Sequence, residues 1–480
     1  MNRKMILHIL GSILIVEAFL MLPSVAVGLI YAESATTSFI LPIAILLALG
    51  FLMRWKKPQD TTIYARDGFF IVAAAWLLMS LAGALPFYMC GGFDSFWDCF
   101  FEMVSGFTTT GASIHSNVDA LPHCILFWRS FSHWIGGMGV LVFVLAITPL
   151  SEERSMHLMR AEVPGPIVGK LVPKMRDTAK ILYGVYSIMT VVLVIFLLCG
   201  GMPLFDALCN AFATAGTGGF AVRSAGIPYY NSAYIEIVLA VFMLLFGINF
   251  NLFYFILIGK AKTAIKSEEL HWYAAIVGVS TLLIGINIFP LFGNTFESFR
   301  HAFFQVASII TTTGFASYDF LYFPAFSQHI IVLLMMVGAC AGSTGGGLKI
   351  SRVMILIKSF GQEIKRLFHP HAVTVVRLEG KAIDKSTLRA TLSYFAVYIM
   401  TICVSVLLIS IDGFDFTTNF TAVLSCVNNI GPGLGKVGPM SNFGEYSGWA
   451  KVLLSFDMLL GRLEILPMLV LFSPGAWRKN

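Results

Sequence analysis

Thr108-Thr109-Thr110-Gly111 is a short polar run between apolar segments, and it returns three times along the 480-residue chain. The later copies are Gly216-Thr217-Gly218-Gly219, Thr311-Thr312-Thr313-Gly314 and Asn428-Asn429-Ile430-Gly431. The closing glycines lie 108, 95 and 117 residues apart. A half-length amphipathic segment precedes each run: Phe96 to Thr108, Phe205 to Ala215, Phe299 to Ile310 and Phe416 to Asn428. Segments this short cannot cross about 30 Å of hydrocarbon as helices, so they read as re-entrant. Irregular backbone at membrane depth is tolerated only where it is buried in protein or lines a water-filled cavity. All four loops therefore belong around one aqueous path.

Composition places the chain in a membrane. It is 57% hydrophobic and only 12% charged, against about a quarter charged in soluble domains. Ten segments are long and apolar enough to span, at about 5–30, 38–53, 68–90, 127–149, 181–200, 232–258, 272–292, 328–357, 388–410 and 448–473. With both termini inside, the Lys and Arg falling outside the internal loops are Arg129, Arg223, Arg300, Lys436 and Lys451, with Arg462 in the last span. This inward bias accounts for the net charge of +6 and removes any need for a nucleic-acid partner. The apolar run after Arg3 and Lys4 is longer than a signal peptide's core, so it reads as a retained first helix. Eight cysteines contain no C-x-x-C pair and read as packing residues, not a metal or redox site.

The expected fold is an all-α polytopic membrane protein. Residues 1–66 form a two-helix appendage. Four parallel units of span, half-helix, loop and span follow at 67–165, 166–266, 267–375 and 376–480. Parallel units can surround a central axis, whereas inverted repeats point to a rocking transporter. The chemistry suits a cation. Backbone carbonyls replace its water shell without a trapping charge, glycine permits the required backbone angles, and half-helix C-termini are partially negative. Asp94, Asp98, Glu102, Asp206, Asp319, Asp412 and Asp415 are expected to enrich cations at the outer mouth.

Ser105-Gly-Phe-Thr-Thr-Thr-Gly111, His133-Trp-Ile-Gly-Gly-Met-Gly139, Asn428-Asn-Ile-Gly-Pro-Gly-Leu-Gly435 and Leu460-Gly-Arg-Leu-Glu464 together resemble the TrkH/TrkG family of bacterial potassium-uptake proteins. The resemblance covers nearly the whole chain. It implies a potassium-conducting subunit of the inner membrane, homodimeric, with one pore per chain and no covalently bound cofactor. It also implies a cytosolic nucleotide-binding ring partner of the TrkA type. Carried over loop by loop, the potassium ligands are expected at Thr109, Thr110 and Gly111; Thr217, Gly218 and Gly219; Thr312, Thr313 and Gly314; and Asn429, Ile430 and Gly431. Serine at the first glycine position marks sodium-preferring relatives, so Gly111 favours potassium. The second loop is aligned on Gly219 because Gly219-Phe220-Ala221 parallels Gly314-Phe315-Ala316. The fourth loop carries no threonine, which leaves its ligand geometry open.

The eighth span is interrupted by Gly338-Ala-Cys-Ala-Gly-Ser-Thr-Gly-Gly-Gly347, a poor helix former. It reads either as a kink for close packing or as a flexible gate beneath the loops, and the resemblance implies a gate at Gly342, Gly345, Gly346 and Gly347. Arg462 sits in the apolar last span, where a charge must pair or face water. Glu464 and Asp457 are poorly spaced to pair with it. The functional reading puts Arg462 at the pore as a barrier to cations that also holds the gate closed. Glu17 is expected to pair with a polar neighbour, Asn249 and Asn251 to bond between helices, and His133 to pack at a span's outer end. The basic stretch 349–389, with Lys358, Lys365, Arg366, Arg377, Lys381 and Lys385, reads as an inside anchor or a docking surface for the ring. A coupled symporter remains the second reading. An embedded enzyme has no nucleophile, paired aspartates or metal motif to support it.

Overall fold

Long helices that are apolar on every side dominate the chain, because no water is available in a bilayer to satisfy a backbone left outside a helix. In a computed structural model, residues 2–56, 58, 65–139, 175–369, 375–465 and 468 are described. Among them, six helices are long and apolar enough to cross a membrane, or seven if one bent pair counts as a single span. The chain is a multi-pass membrane protein, and side chains such as Ile188, Ile195, Leu282, Met400 and Leu407 point outward toward lipid.

The first two helices, Arg3–Ile30 and Ile40–Arg54, pack as a hairpin. A Cβ at Gly11 would stand 2.8 Å from the Gly50 carbonyl oxygen, and one at Gly50 equally close to that of Gly11. Small residues thus let the two backbones touch. Glu33, between them, accepts the Cys124 N–H at 3.0 Å and the His123 N–H at 2.7 Å. The hairpin therefore caps the helix His123–Gly137 and is tied to the first unit.

The four half-helices are Phe96–Phe107, Leu204–Ala215, Thr295–Ile310 and Phe416–Asn428. The third starts four residues earlier than the sequence implies, because Asn294 caps it by accepting the Phe296 N–H at 2.9 Å. Ser95 and Asp415 cap the first and fourth in the same way.

Three of the expected spans are broken. Segment 232–258 is two helices, Ala233–Phe246 and Phe250–Leu257, meeting at 91°. Asn249 caps the second, its Oδ1 accepting the Asn251 N–H at 3.0 Å; this replaces the expected bond between helices. Segment 328–357 is Ala325–Met336 and Ile350–Phe368 with irregular chain between. The last helix, Gly448–Arg462, ends on its arginine, and Glu464 beyond it has φ of +55°. Arg462 is thus the last residue of that helical piece, and Ile465 and Met468 beyond it are again helical. The parts of spans 127–149 and 448–473 at 140–149 and at 466, 467 and 469–473, and the loop 150–174, lie outside the described residues. A small hairpin pairs Arg377–Leu378 with Lys381–Ala382.

Candidate functional site

All four half-helices end in one hydrogen-bond pattern. In the first loop the Thr109 N–H donates to the Gly106 carbonyl at 3.1 Å and the Thr110 N–H to that of Ser105 at 2.9 Å. The same two bonds run from Thr217 and Gly218 to Thr214 and Ala213, and from Thr312 and Thr313 to Ile309 and Ser308. In the fourth they run from Asn429 and Ile430 to Cys426 and Ser425. This is the Schellman termination, which requires a left-handed residue just past the helix. Thr109, Thr217, Thr312 and Asn429 fill that position, with φ of 56°, 55°, 60° and 55°. Two residues on, Gly111, Gly219, Gly314 and Gly431 are left-handed too, at 76°, 71°, 83° and 105°. Loop two therefore has its glycine register at Gly219, and loop four reaches the common backbone without a threonine.

The loops close on each other in a ring. A Cβ added at Gly111 would strike the Gly218 carbonyl oxygen, one at Gly219 that of Thr313, and one at Gly314 that of Ile430. A Cβ at Gly431 would stand 2.8 Å from the Thr110 carbonyl oxygen, completing the circuit. Each contacted oxygen belongs to the residue before a loop's glycine, so every glycine yields its missing side-chain space to its neighbour's carbonyl. On one side of the ring lies an open vestibule lined by Gly111, Gly219, Gly314 and Gly431.

Threonine hydroxyls brace this ring from within. Thr108 Oγ1 donates to the Val104 carbonyl and lies 2.8 Å from Thr110 Oγ1; Thr311 and Thr313 repeat the pair. Asn429 Nδ2 donates to Thr110 Oγ1 at 3.0 Å and so joins loop four to loop one. His133 is fully buried between the first half-helix and loop two, a correction to its expected place at a span's end. Its Nδ1 lies 2.8 Å from the Gly106 carbonyl oxygen and its Nε2 3.3 Å from the Phe220 N–H. A carbonyl only accepts and an amide N–H only donates, so the imidazole is the neutral Nδ1–H tautomer.

Of the seven acidic residues expected at the outer mouth, Glu102, Asp98 and Asp206 are paired with cations, Asp319, Asp412 and Asp415 meet uncharged donors, and Asp94 is exposed. Glu102 is buried, accepts from Arg129 Nε at 2.8 Å and from the Ile114 N–H at 3.0 Å, and fixes the exit of loop one. Asp98 pairs with Lys451 at 2.7 Å and Asp206 with Arg223 at 3.1 Å. Asp412 accepts from Ser447, Asp415 caps its helix and Asp319 accepts from the Leu321 N–H.

Beneath the ring, residues 337–349 run without helix. The Gly346 N–H donates to Thr312 Oγ1 at 2.7 Å, tying this segment to loop three. The Cys340 N–H reaches the Gly247 carbonyl at 3.1 Å, and the Phe250 N–H reaches that of Gly342 at 3.0 Å. The break in the preceding span thus seats the segment. The Arg462 guanidinium donates to the Thr344 carbonyl at 2.8 Å and to that of Gly137 at 2.7 Å. Gly345, Gly346, Gly347 and Arg462 line one small cavity with Lys349 and Glu464. Gly342 stands apart, against Asn249. Glu464 pairs with Arg352 at 2.6 Å, and Asp457 accepts from Ser405. Glu17 is buried, and its carboxylate has no hydrogen-bond partner among the described residues, contrary to the expected pairing. Sequence reasoning missed the Glu102–Arg129 pair, Lys349 and the Asn249 cap; only the last had a local signal, in Gly247-Ile248-Asn249.

A family model described as a cation transport protein, TrkH, matches residues 35–286 and 294–478. The Trk system potassium uptake protein TrkH of Salmonella typhimurium is 37% identical over 488 residues, covering all of both chains. The Trk system potassium uptake protein TrkG of Escherichia coli is 34% identical over 484 residues, covering 99% of each. The crystal structure of the potassium transporter TrkH from Vibrio parahaemolyticus superposes with a TM-score of 0.90 at 32% identity, over the whole of both chains.

Proposed function

Because this chain belongs to the TrkH family of cation transport proteins, we propose that it takes up potassium through a channel-like pore whose selectivity filter is the ring of four loops. The observation that carries this reading is the closed circuit of glycine-to-carbonyl contacts, built on one backbone conformation repeated four times. A dehydrated cation at the centre would take its oxygens from Thr109 to Gly111, Thr217 to Gly219, Thr312 to Gly314 and Asn429 to Gly431. Four half-helix C-termini face the ring, and their partial negative charge favours a cation there. Gly111 supports potassium over sodium.

Residues 337–349 are the gate, and Arg462 is its lock. The guanidinium holds Thr344 of that segment and places a positive charge beside the ion path. The protein works as a homodimer in the bacterial inner membrane with both termini in the cytosol, and a nucleotide-binding ring of the TrkA type controls opening. The names of the Trk-system relatives, read as one component of a larger system, support the partner. Proton- or sodium-coupled symport has Glu17 as its candidate carboxylate, but that residue lies in the N-terminal helix pair and neither the vestibule nor the gate cavity includes it.

The test is ion flux into liposomes holding the purified protein, potassium against sodium, for the native chain and Gly111→Ser. Native preference for potassium with a shift toward sodium in the variant is expected. A native preference for sodium overturns the potassium assignment, and single-channel currents separate a pore from a coupled carrier.

A further inference from the structure

One buried carboxylate has no part in the filter or in the Arg462 lock. Glu269 is the second residue of the helix Glu268–Phe292. Its Oε1 accepts the Ala341 N–H at 2.8 Å and the Ser351 N–H at 3.1 Å. These donors bracket the gate: Ala341 lies early in segment 337–349, and Ser351 lies in the first turn of the helix that follows. A helix start leaves its first N–H groups without partners, and an anion there is favoured by the dipole. One oxygen therefore clasps the entry of the gate to its exit. Two backbone bonds support the closure, from the Gly338 N–H to the Leu348 carbonyl at 2.8 Å and from the Ile350 N–H to that of Ala339 at 3.2 Å.

The carboxylate is itself held from an exposed element. Glu379, at the turn of the small hairpin, accepts the Glu269 N–H at 3.2 Å and the Ser267 hydroxyl at 2.8 Å, both on Oε1. The Glu379 N–H donates to Glu268 Oε2 at 3.3 Å. Lys358, on the helix leaving the gate, pairs with Glu268 and donates to the Arg377 carbonyl at 2.9 Å. A continuous chain of hydrogen bonds thus runs from the hairpin tip to both ends of the gate. Its charges face one another across three elements: Glu268 and Glu269 on one helix, Lys358 on the second, and Arg377 and Glu379 on the hairpin.

We propose that Glu269 is the positioning residue that latches the gate closed, and that the hairpin at Arg377–Ala382 is the handle through which the latch is released. The inference rests on reading residues 337–349 as the gate. Displacing the hairpin withdraws Glu379 from the Glu269 N–H, shifts the carboxylate and frees the Ala341 and Ser351 donors together. Neutralising Glu269 weakens both bonds without a regulator, because a glutamine Oε1 still accepts the two N–H groups but no longer carries the charge. Losing both charge-assisted bonds outright shifts the closed-to-open ratio on the order of a hundredfold or more, and losing only their charge assistance shifts it about tenfold.

The experiment uses the full chain in liposomes with potassium flux as one readout and amide hydrogen exchange as the other. Glu269→Gln is expected to raise flux about tenfold with the potassium-to-sodium ratio unchanged. Exchange should quicken at Ala341 and Ser351 while Thr110 and Ile430, in the filter, stay protected. Glu379→Ala, at an exposed turn, guards against misfolding of the buried variant. It should raise flux in the same direction and add little to Glu269→Gln, since the two lie on one path. Arg462→Ala serves as the reference. If it raises flux while neither glutamate variant changes flux or exchange, the latch is wrong and the gate stands. If Arg462→Ala also leaves flux unchanged, the gate reading fails and the latch goes with it.

Discussion

On the proposed reading of Arg462 as lock and barrier, replacing it by alanine removes two separable obstacles to the ion, and their sizes follow from the geometry. The first is the tether: the guanidinium donates to the Thr344 carbonyl at 2.8 Å and to that of Gly137 at 2.7 Å, so it pins the gate to the end of the helix His123–Gly137. A hydrogen bond to a charged group is worth about 1.5–3 kcal/mol. Losing the Thr344 bond therefore shifts the closed-to-open ratio by roughly ten- to a hundredfold. The second obstacle is Coulombic. A cation passing about 5 Å from the guanidinium at an effective dielectric near 20 meets a barrier of about 3 kcal/mol, or on the order of two hundredfold in rate. The two overlap, because an open gate lets water in and raises the local dielectric. Arg462→Ala is thus expected to raise potassium flux by on the order of a hundredfold. Arg462→Lys separates the terms. Lysine keeps the charge but lacks the planar fork that spans two strands, so its flux should fall well below that of the alanine variant and above the native level. The assay is potassium uptake into liposomes, normalised to incorporated protein. Alanine flux equal to or below native, at normal incorporation, refutes the barrier. A lysine variant as open as alanine removes the Coulombic half and leaves only the tether.

Three further expectations test the filter and the N-terminal hairpin. Gly219→Ala places a Cβ against the Thr313 carbonyl at a φ of +71°, whereas Gly201→Ala imposes the same left-handed strain at +82° with nothing within 4 Å. Both should lower stability by about 1–2 kcal/mol, but only Gly219→Ala should abolish potassium flux or its discrimination, read by melting and by flux together. Thr217→Gly relieves a β-branched residue from φ of +55°, so it should raise the melting temperature while weakening potassium-over-sodium selectivity; a rise in both contradicts the view that the strain fixes the carbonyl. Glu33 offers a pH signature. Burial pushes its carboxyl up, but hydrogen bonds from Cys124 and His123 outweigh that and hold it below its ordinary value of 4.5. A depressed carboxyl contributes stability that is present above 4.5 and lost as pH falls through its lowered value. Glu33→Gln should therefore melt lower at neutral pH and show a smaller further loss on acidification than the native chain.

The ring was legible in the sequence because its constraint is local. A left-handed position followed two residues later by an obligatory glycine leaves the same short signature wherever it occurs, and three of the four copies carry threonine as well. Even the ambiguous pair Gly218-Gly219 was resolved by the Phe-Ala that follows it. What stayed hidden was pairing over distance. Glu102 and Arg129 are 27 residues apart, and Glu269 meets Ala341 across 72. Hydropathy says such charges must find partners but not which ones. The same gap explains the rim: Asp98 and Asp206 look like free attractors in sequence, yet each answers a cation brought in by another unit or a later turn. The break at Gly247–Asn249 left a local signal in its glycine and asparagine, but hydropathy could not show it, because the phenylalanine-rich run around it satisfies any window whether the helix is straight or bent.

The choice of residue at the left-handed position carries a physical message. Glycine would fit the Schellman turn at no steric cost, yet Thr109, Thr217 and Thr312 stand there as β-branched residues, an arrangement rare outside strained sites. Each costs about 1–2 kcal/mol; the Thr109 hydroxyl is buried without a hydrogen-bond partner among the described residues and that of Thr217 reaches only the preceding carbonyl, whereas the third and fourth loops hold contacts that offset the cost. The Thr312 hydroxyl accepts the Gly346 N–H from the segment 337–349, and Asn429, in the equivalent place, ties loop four to Thr110 and to the Met458 carbonyl. A glycine in these places would free the neighbouring carbonyl to rotate away from the centre. A threonine held left-handed has few other conformations to visit. On the proposed reading, the strain limits how far the ring's carbonyls can turn, and the Gly346–Thr312 bond makes the resting position of segment 337–349 depend on the third loop's backbone. If the ring selects and the segment closes, as proposed, both draw on one set of side chains, and a change at the left-handed positions should be felt in both.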